Sequence, residues 1–158
     1  MTPIRILKLL ISIIVAEVAG SIGSIFTMPS LPTWYASLAK PWFTPPNWVF
    51  APVWTILFAL MGISAWIIWD KGLDKKGIKE ALFFFDVQFI LNILWSFLFF
   101  GLRNLLYALI EIIILWIAIA LTIWKFYKID KRAAYIMLPY IAWVCIALAL
   151  NLGIVLLN

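Results

Sequence analysis

Five long apolar runs, near Ile6–Phe26, Val49–Trp69, Leu82–Phe100, Leu105–Trp124 and Ala133–Leu157, occupy most of this chain. Each approaches the roughly 20 residues that a helix needs to cross a bilayer. A soluble domain has nearly half of its residues apolar, whereas here 66% of 158 residues are hydrophobic and 12% charged. A soluble core of this size cannot hold that excess. The runs therefore predict an all-α membrane protein, a five-transmembrane-helix bundle forming one domain over residues 1–158. A β-barrel is excluded because its strands alternate apolar and polar residues, and these runs are continuous. The start, MTPIRILKLLISIIVAEVAGS, imitates a signal peptide. Its apolar character continues past Ala19 and Gly20 to Phe26, which favours a retained helix.

Five spans put the termini on opposite sides. The side holding the N-terminus and the second and fourth loops carries Arg5, Lys8, Lys71, Lys75, Lys76, Lys79, Lys125, Lys128, Lys131 and Arg132; the other carries Lys40 and Arg103. Ten basic residues against two place the N-terminus in the cytoplasm and the C-terminus outside. The same bias favours a prokaryotic cell membrane. The net charge of +5 is thus topology information. A nucleic-acid partner would need basic residues gathered on a soluble face beside base-reading elements, and no such domain exists.

Between Leu31 and Trp54 the sequence LPTWYASLAKPWFTPPNWVFAPVW holds five prolines and four tryptophans. Proline fixes φ and removes a backbone donor, and Trp and Tyr gather where an apolar body meets a wet rim. The stretch Met28–Trp48, with Lys40 as its one charge, exceeds the 12–15 or so residues beyond which loops are usually functional or disordered. Trp34, Tyr35, Trp42, Phe43, Trp48 and Phe50 argue against disorder, so this first loop is expected to fold over one end of the bundle as a structured lid.

Polar side chains inside a span are expensive and normally face the bundle interior. Gln88, Asn92 and Trp95 recur at i, i+4 and i+7 and share one face of the third helix: an aromatic wall beside two amides, which serve either a pocket or ties between helices. Trp143, Ala147 and Leu150 form a second such stripe in the last span. Together with Trp54 and Trp95 it describes ordinary packing or a slot for a flat ligand. Ser12, Ala16, Gly20 and Ser24 make a stripe of small residues that lets a helix approach closely, within a subunit or between subunits. Glu17 adjoins that stripe, Asp86 lies near the end of its span, and Glu111, deeper, is expected to accept an intramembrane hydrogen bond.

Catalytic constellations are absent: there is no His, no Ser/His/Asp set, no phosphate-binding glycine loop and no paired carboxylates at suitable spacing. The one cysteine, Cys145, sits within a span and offers neither metal spacing nor a disulfide.

The runs WYASLAKPWFTPPNWVFAPVWTILF, QFILNILWSFLFFG and LPYIAWVCIALALN resemble the TspO/MBR family, which comprises the tryptophan-rich sensory proteins of prokaryotes and the translocator proteins of mitochondria. The resemblance implies a five-helix bundle, often a homodimer, with no obligatory cofactor. Its pocket under the first loop binds porphyrins, haem precursors, sterols and isoquinoline-type compounds. It places pocket residues at Tyr35, Trp54, Gln88, Asn92, Trp95, Tyr107, Trp143, Ala147 and Leu150. Trp54 and Trp143 correspond to tryptophans implicated in light-dependent porphyrin breakdown in bacterial relatives, an alternative enzymatic reading. Two departures stand out. Tyr107 replaces the usual tryptophan, and the end LNLGIVLLN lacks the Tyr-plus-basic pattern associated with sterol recognition, itself a weak pattern. Tetrapyrroles, porphyrin or haem-like, are therefore the expected ligands. Their macrocycle stacks on indoles, Gln88 and Asn92 offer donors to propionates, and Lys40 in the loop is expected to neutralise one carboxylate.

Overall fold

A computed structural model describes residues 1–158 and contains helices and turns, without strands. α1 spans Pro3–Ser30, the short α2 spans Trp34–Ser37, and α3 spans Asn47–Trp69. α4, Ile78–Ser96, continues through a π-helical turn at Phe97–Gly101; α5 spans Leu105–Ile129, and α6 (Lys131–Ile136) and α7 (Leu138–Leu157) form the last stretch. Five of these stretches are long and apolar enough to cross a membrane. The chain is an integral membrane protein.

The helices outrun the apolar stretches that announce them. α1 continues through Pro29 because that ring forfeits a single N–H near the helix end, and the Leu31 amide still reaches the Thr27 carbonyl at 3.1 Å. The lid loop consequently shortens from 28–48 to 31–46, with α2 inside it. At its other end α5 passes Trp124 and runs to Ile129, because Lys125 and Lys128 lay apolar stems along aromatic rings while keeping their ammonium groups at the surface. The Lys128 Nζ lies 3.5 Å from the Trp124 ring centroid. Asp130 then leaves the helix with φ −152° and caps α6 by accepting the Arg132 amide at 3.0 Å. The Arg132 guanidinium and the Lys71 ammonium, at 2.9 and 2.8 Å, hold the Asp130 carboxyl well below the usual carboxylate range. A break at Met137 puts Pro139 in the first turn of α7, where its missing donor is harmless.

Around the bundle the order is α1, α3, α6–α7, α5 and α4, and α4 closes the ring on α1. Met61, Ile68, Ile112, Leu115, Ile119 and Phe126 fill its centre. Ile14, Val18, Ile90, Ile110 and Ile114 point outward, exposed, as lipid-facing residues do. The tightest crossing is between α1 and α3. A Cβ on Gly62 would sit 2.7 Å from the Ile13 Cα, and the Ser12 hydroxyl donates to the Gly62 carbonyl at 2.7 Å. The small-residue stripe therefore serves packing within the chain: Ser12 meets Gly62, Ala16 is buried in the core, and Gly20 meets the Phe58 ring. Ser24, at the end of the stripe, stays exposed and donates to its own helix.

Candidate functional site

The loop Leu31–Pro46 is fastened over one end of the bundle at three points. Pro41 packs on Gly153 of α7, where a Cβ would lie 2.3 Å from the Pro41 Cγ, so no larger residue fits. The Asn158 side chain clamps Ala39 with a bond to its amide at 3.1 Å and one to its carbonyl at 2.9 Å. Tyr35, 3% exposed, packs against Phe50, Phe99 and Phe100, and burial pushes its phenol pKa up. The π-turn presents Phe99 and Phe100, and the Ser30 hydroxyl donates to the Phe100 carbonyl there at 3.0 Å. The loop aromatics thus divide. Trp34, Tyr35 and Phe50 face inward, Trp42 and Phe43 are exposed in the manner of an interfacial belt, and Trp48, though exposed, also borders the cavity described next.

Beneath this loop α1, α3, α4 and α7 enclose a cavity of about 700 Å³. Phe50, Trp54 and Phe58 line one side, Trp95 and Phe100 another, and Trp143 with Ala147 the α7 side. Trp54 stacks on Phe58 at 5.5 Å and meets the Tyr140 ring edge-on at 6.3 Å; Trp143 meets Phe50 edge-on at 6.1 Å. Such pairs hold the rings upright and leave their remaining faces free for a flat ligand.

The cavity floor is polar and tightly wired. Asn92 donates through Nδ2 to the Tyr140 hydroxyl at 3.0 Å, which donates to the Gln88 Oε1 at 2.8 Å. Gln88 and Tyr140 are fully buried, so this chain is the reason two amides are tolerated inside the bundle. Trp95 is similarly fixed: its Nε1 donates to the Asn151 Oδ1 at 3.2 Å, and Asn151 donates onward to the Leu105 carbonyl at 3.0 Å. Tyr140→Phe keeps the ring against Trp54 but strands Asn92 and Gln88. We expect a loss of about 2 kcal/mol, the penalty for orphaned buried groups, read as a lowered unfolding midpoint in a lipid nanodisc.

Of the nine residues expected at the site, Trp54, Asn92, Trp95, Trp143 and Ala147 stand on the cavity wall. The other four do not. Gln88 lies behind the wall and acts through Tyr140. Tyr35 supports the loop, and Leu150 is buried elsewhere in the bundle. Tyr107 is 59% exposed on α5, a helix that contributes nothing to the wall. Lys40 is off the wall as well. Its ammonium lies 2.9 Å from the Leu38 carbonyl and 4.9 Å from the Tyr35 ring centroid. Glu111 is buried, and neither of its oxygens has a hydrogen-bond partner, contrary to the expected intramembrane bond. Tyr140 and Phe58 were missed by sequence reasoning. Spacing carries a signal for both, since Tyr140, Trp143 and Ala147 fall at i, i+3 and i+7, and Phe58 follows Trp54 by four.

Fold and cavity together define a class: an all-α integral membrane protein of five spans, four of which wall an aromatic pocket capped by a structured loop. The chain belongs to the TspO/MBR family, whose profile it matches over residues 12–157. It is 48% identical to the tryptophan-rich protein TspO of Archaeoglobus fulgidus over 98% of this chain and 99% of that protein. Identity to the tryptophan-rich sensory protein of Cereibacter sphaeroides is 36%, covering 79% and 77% of the two chains. The human translocator protein is 34% identical over 82% of this chain and 78% of its own length.

Proposed function

We propose that this protein binds flat, largely apolar ligands within the membrane, tetrapyrroles foremost, and acts as their sensor or translocator. The observation that carries this reading is the indole-lined cavity beneath the loop. Its volume of about 700 Å³ falls inside the range of small-molecule sites, which are mostly apolar with a few placed polar groups. Asn92 is such a group, since its Oδ1 is left accessible and unpaired after Nδ2 is engaged by Tyr140. Isoquinoline-type compounds meet the same rings. Sterols rank lower because α7 ends in LNLGIVLLN, without a Tyr and a basic residue. The names of the relatives, sensory protein and translocator protein, agree with a binding role. The charge asymmetry of the loops keeps the N-terminus cytoplasmic and the capped cavity in the outer half of the membrane. A homodimer would form through an outer face, because Ser12, Ala16 and Gly20 are engaged inside the bundle.

Titrating protoporphyrin into the protein in nanodiscs should quench tryptophan fluorescence to saturation. Mass spectrometry of protein purified from its own cells should find a tetrapyrrole bound. Linear, unsaturable quenching together with a co-purified lipid in place of a tetrapyrrole would reject the reading.

A further inference from the structure

The charged group on the cavity wall is a carboxylate, and it stands where the cavity meets lipid. Glu17 is on the wall, and no Lys or Arg is. Ser21, Ser24 and Met28 of α1, and Ala51 and Thr55 of α3, line the cavity and are also exposed on the outer surface of the bundle. Since both helices are apolar spans, the gap between them opens sideways into hydrocarbon. It narrows where Gly20 meets Phe58, reaches Glu17 one turn below, and is closed further down where Ser12 bonds Gly62.

The hydroxyls along this gap already donate within their own helices. Ser21 donates to the Glu17 carbonyl at 2.9 Å, Ser24 to the Ser21 carbonyl at 2.7 Å, and Thr55 to the Ala51 carbonyl at 2.9 Å. The Glu17 carboxyl makes no hydrogen bond or ion pair within the chain, and it sits near the middle of the 28-residue α1. An ionisable side chain at that depth is costly unless something pairs with it.

We propose that Glu17 is a specificity-determining residue of a side-opening site: it selects, from the bilayer, flat amphiphiles that carry a basic nitrogen, and disfavours those that carry carboxylates. An ammonium or amidinium on the ligand gives Glu17 its missing partner and forms a charge-assisted hydrogen bond. A carboxylate brings like charge into a low-dielectric gap that holds no cation. A tetrapyrrole diacid is thereby required to leave its acid groups outside the gap, whereas esters and amines can enter freely. The inference rests on the cavity being the ligand site.

The test uses one macrocycle with three end groups: protoporphyrin, its dimethyl ester, and its bis-alkylamine amide, each titrated from the lipid phase of nanodiscs. In the parent protein the amine should bind more tightly than the ester, and the ester more tightly than the diacid. The amine should exceed the diacid by about tenfold or more, as expected for one charge-assisted bond gained. Glu17→Gln, nearly isosteric, should bring amine and diacid within about twofold while leaving the ester unchanged. Equal binding of amine and diacid by the parent, or a preference that survives in Glu17→Gln, would overturn the proposal. If the parent binds none of the three, the tetrapyrrole reading fails, and the same three end groups on an isoquinoline decide the role of Glu17 separately. A melting curve matching that of the parent shows that Glu17→Gln is folded; should it not fold, Glu17→Ala takes its place under the same criteria.

Discussion

Gly62→Ala should lower the unfolding midpoint by about 5 °C, while Gly20→Ala, one turn after Glu17 on the facing helix, should leave the fold intact and weaken ligand binding instead. In an exposed helix either change would stabilise, because alanine is about 1 kcal/mol better than glycine as a helix former. At Gly62 the added methyl meets backbone: the Ile13 Cα at 2.7 Å, the Ser12 carbonyl oxygen at 2.9 Å and the Ile13 nitrogen at 3.1 Å. None of those atoms can rotate away, so α1 and α3 must separate by roughly 1 Å to restore ordinary carbon contacts. That shift also stretches the 2.7 Å bond from Ser12 to the Gly62 carbonyl. Overpacking of this kind costs up to about 3 kcal/mol, which exceeds the propensity gain and leaves a net loss near 2 kcal/mol. For a chain of this length that corresponds to about 5 °C. At Gly20 the obstruction is the Phe58 ring, 2.4 Å from the same ideal Cβ. Because Cγ also lies too close, at 2.9 Å, the whole side chain must swing, and Phe58 borders the cavity that can receive it. Differential scanning of both variants, paired with porphyrin titration, separates the two outcomes. An unchanged midpoint in Gly62→Ala would show that the close crossing is not what holds α1 in place.

This division between backbone and side chain marks what a sequence discloses and what it withholds. The five spans are legible because hydrocarbon imposes a length and a polarity on each. The helix ends are less legible, because an apolar run stops at Phe26 or Trp124 while the helix goes on through residues that tolerate it: Lys128 by laying its stem on a ring, Pro29 because few bonds remain to be lost so near the helix end. Spacing along one helix put Asn92 and Trp95 together, and both stand on the wall. The same spacing also nominated Gln88 and Leu150, since periodicity names a face without saying how far along it a cavity extends. Tyr140 is 52 positions from Gln88. No pattern within either helix pairs them, because the pairing is a product of how α4 and α7 sit against each other. Lys40 shows the reverse error: a cation near a pocket in sequence was assumed free for a ligand, whereas the tight loop turns it onto its own carbonyls and the Tyr35 ring.

Trp54→Ala and Trp143→Ala should each weaken porphyrin binding by about tenfold, the loss expected when one stacked ring is removed. Their side effects should differ, because the two rings brace different neighbours. Trp54 stacks on Phe58 and touches Tyr140, so its removal lets the floor relax. Trp143 props Phe50, which in turn meets Tyr35 of the loop, so its removal should also quicken proteolysis within Leu31–Pro46. The phenylalanine variants separate stacking from bracing. Trp54→Phe and Trp143→Phe retain an aromatic face and should keep most of the affinity, with the remaining tryptophans among the ten still reporting by quenching. Those variants also test the alternative of light-dependent breakdown. Breakdown by tryptophan oxidation needs an indole, so product formed under light and oxygen should vanish in the phenylalanine variants even though ligand still binds. If the protein only holds its ligand, bleaching will run at the same rate in parent and variants. Parent affinity in both alanine variants would remove the slot formed by these two rings, and with it the main physical reason for expecting a flat ligand.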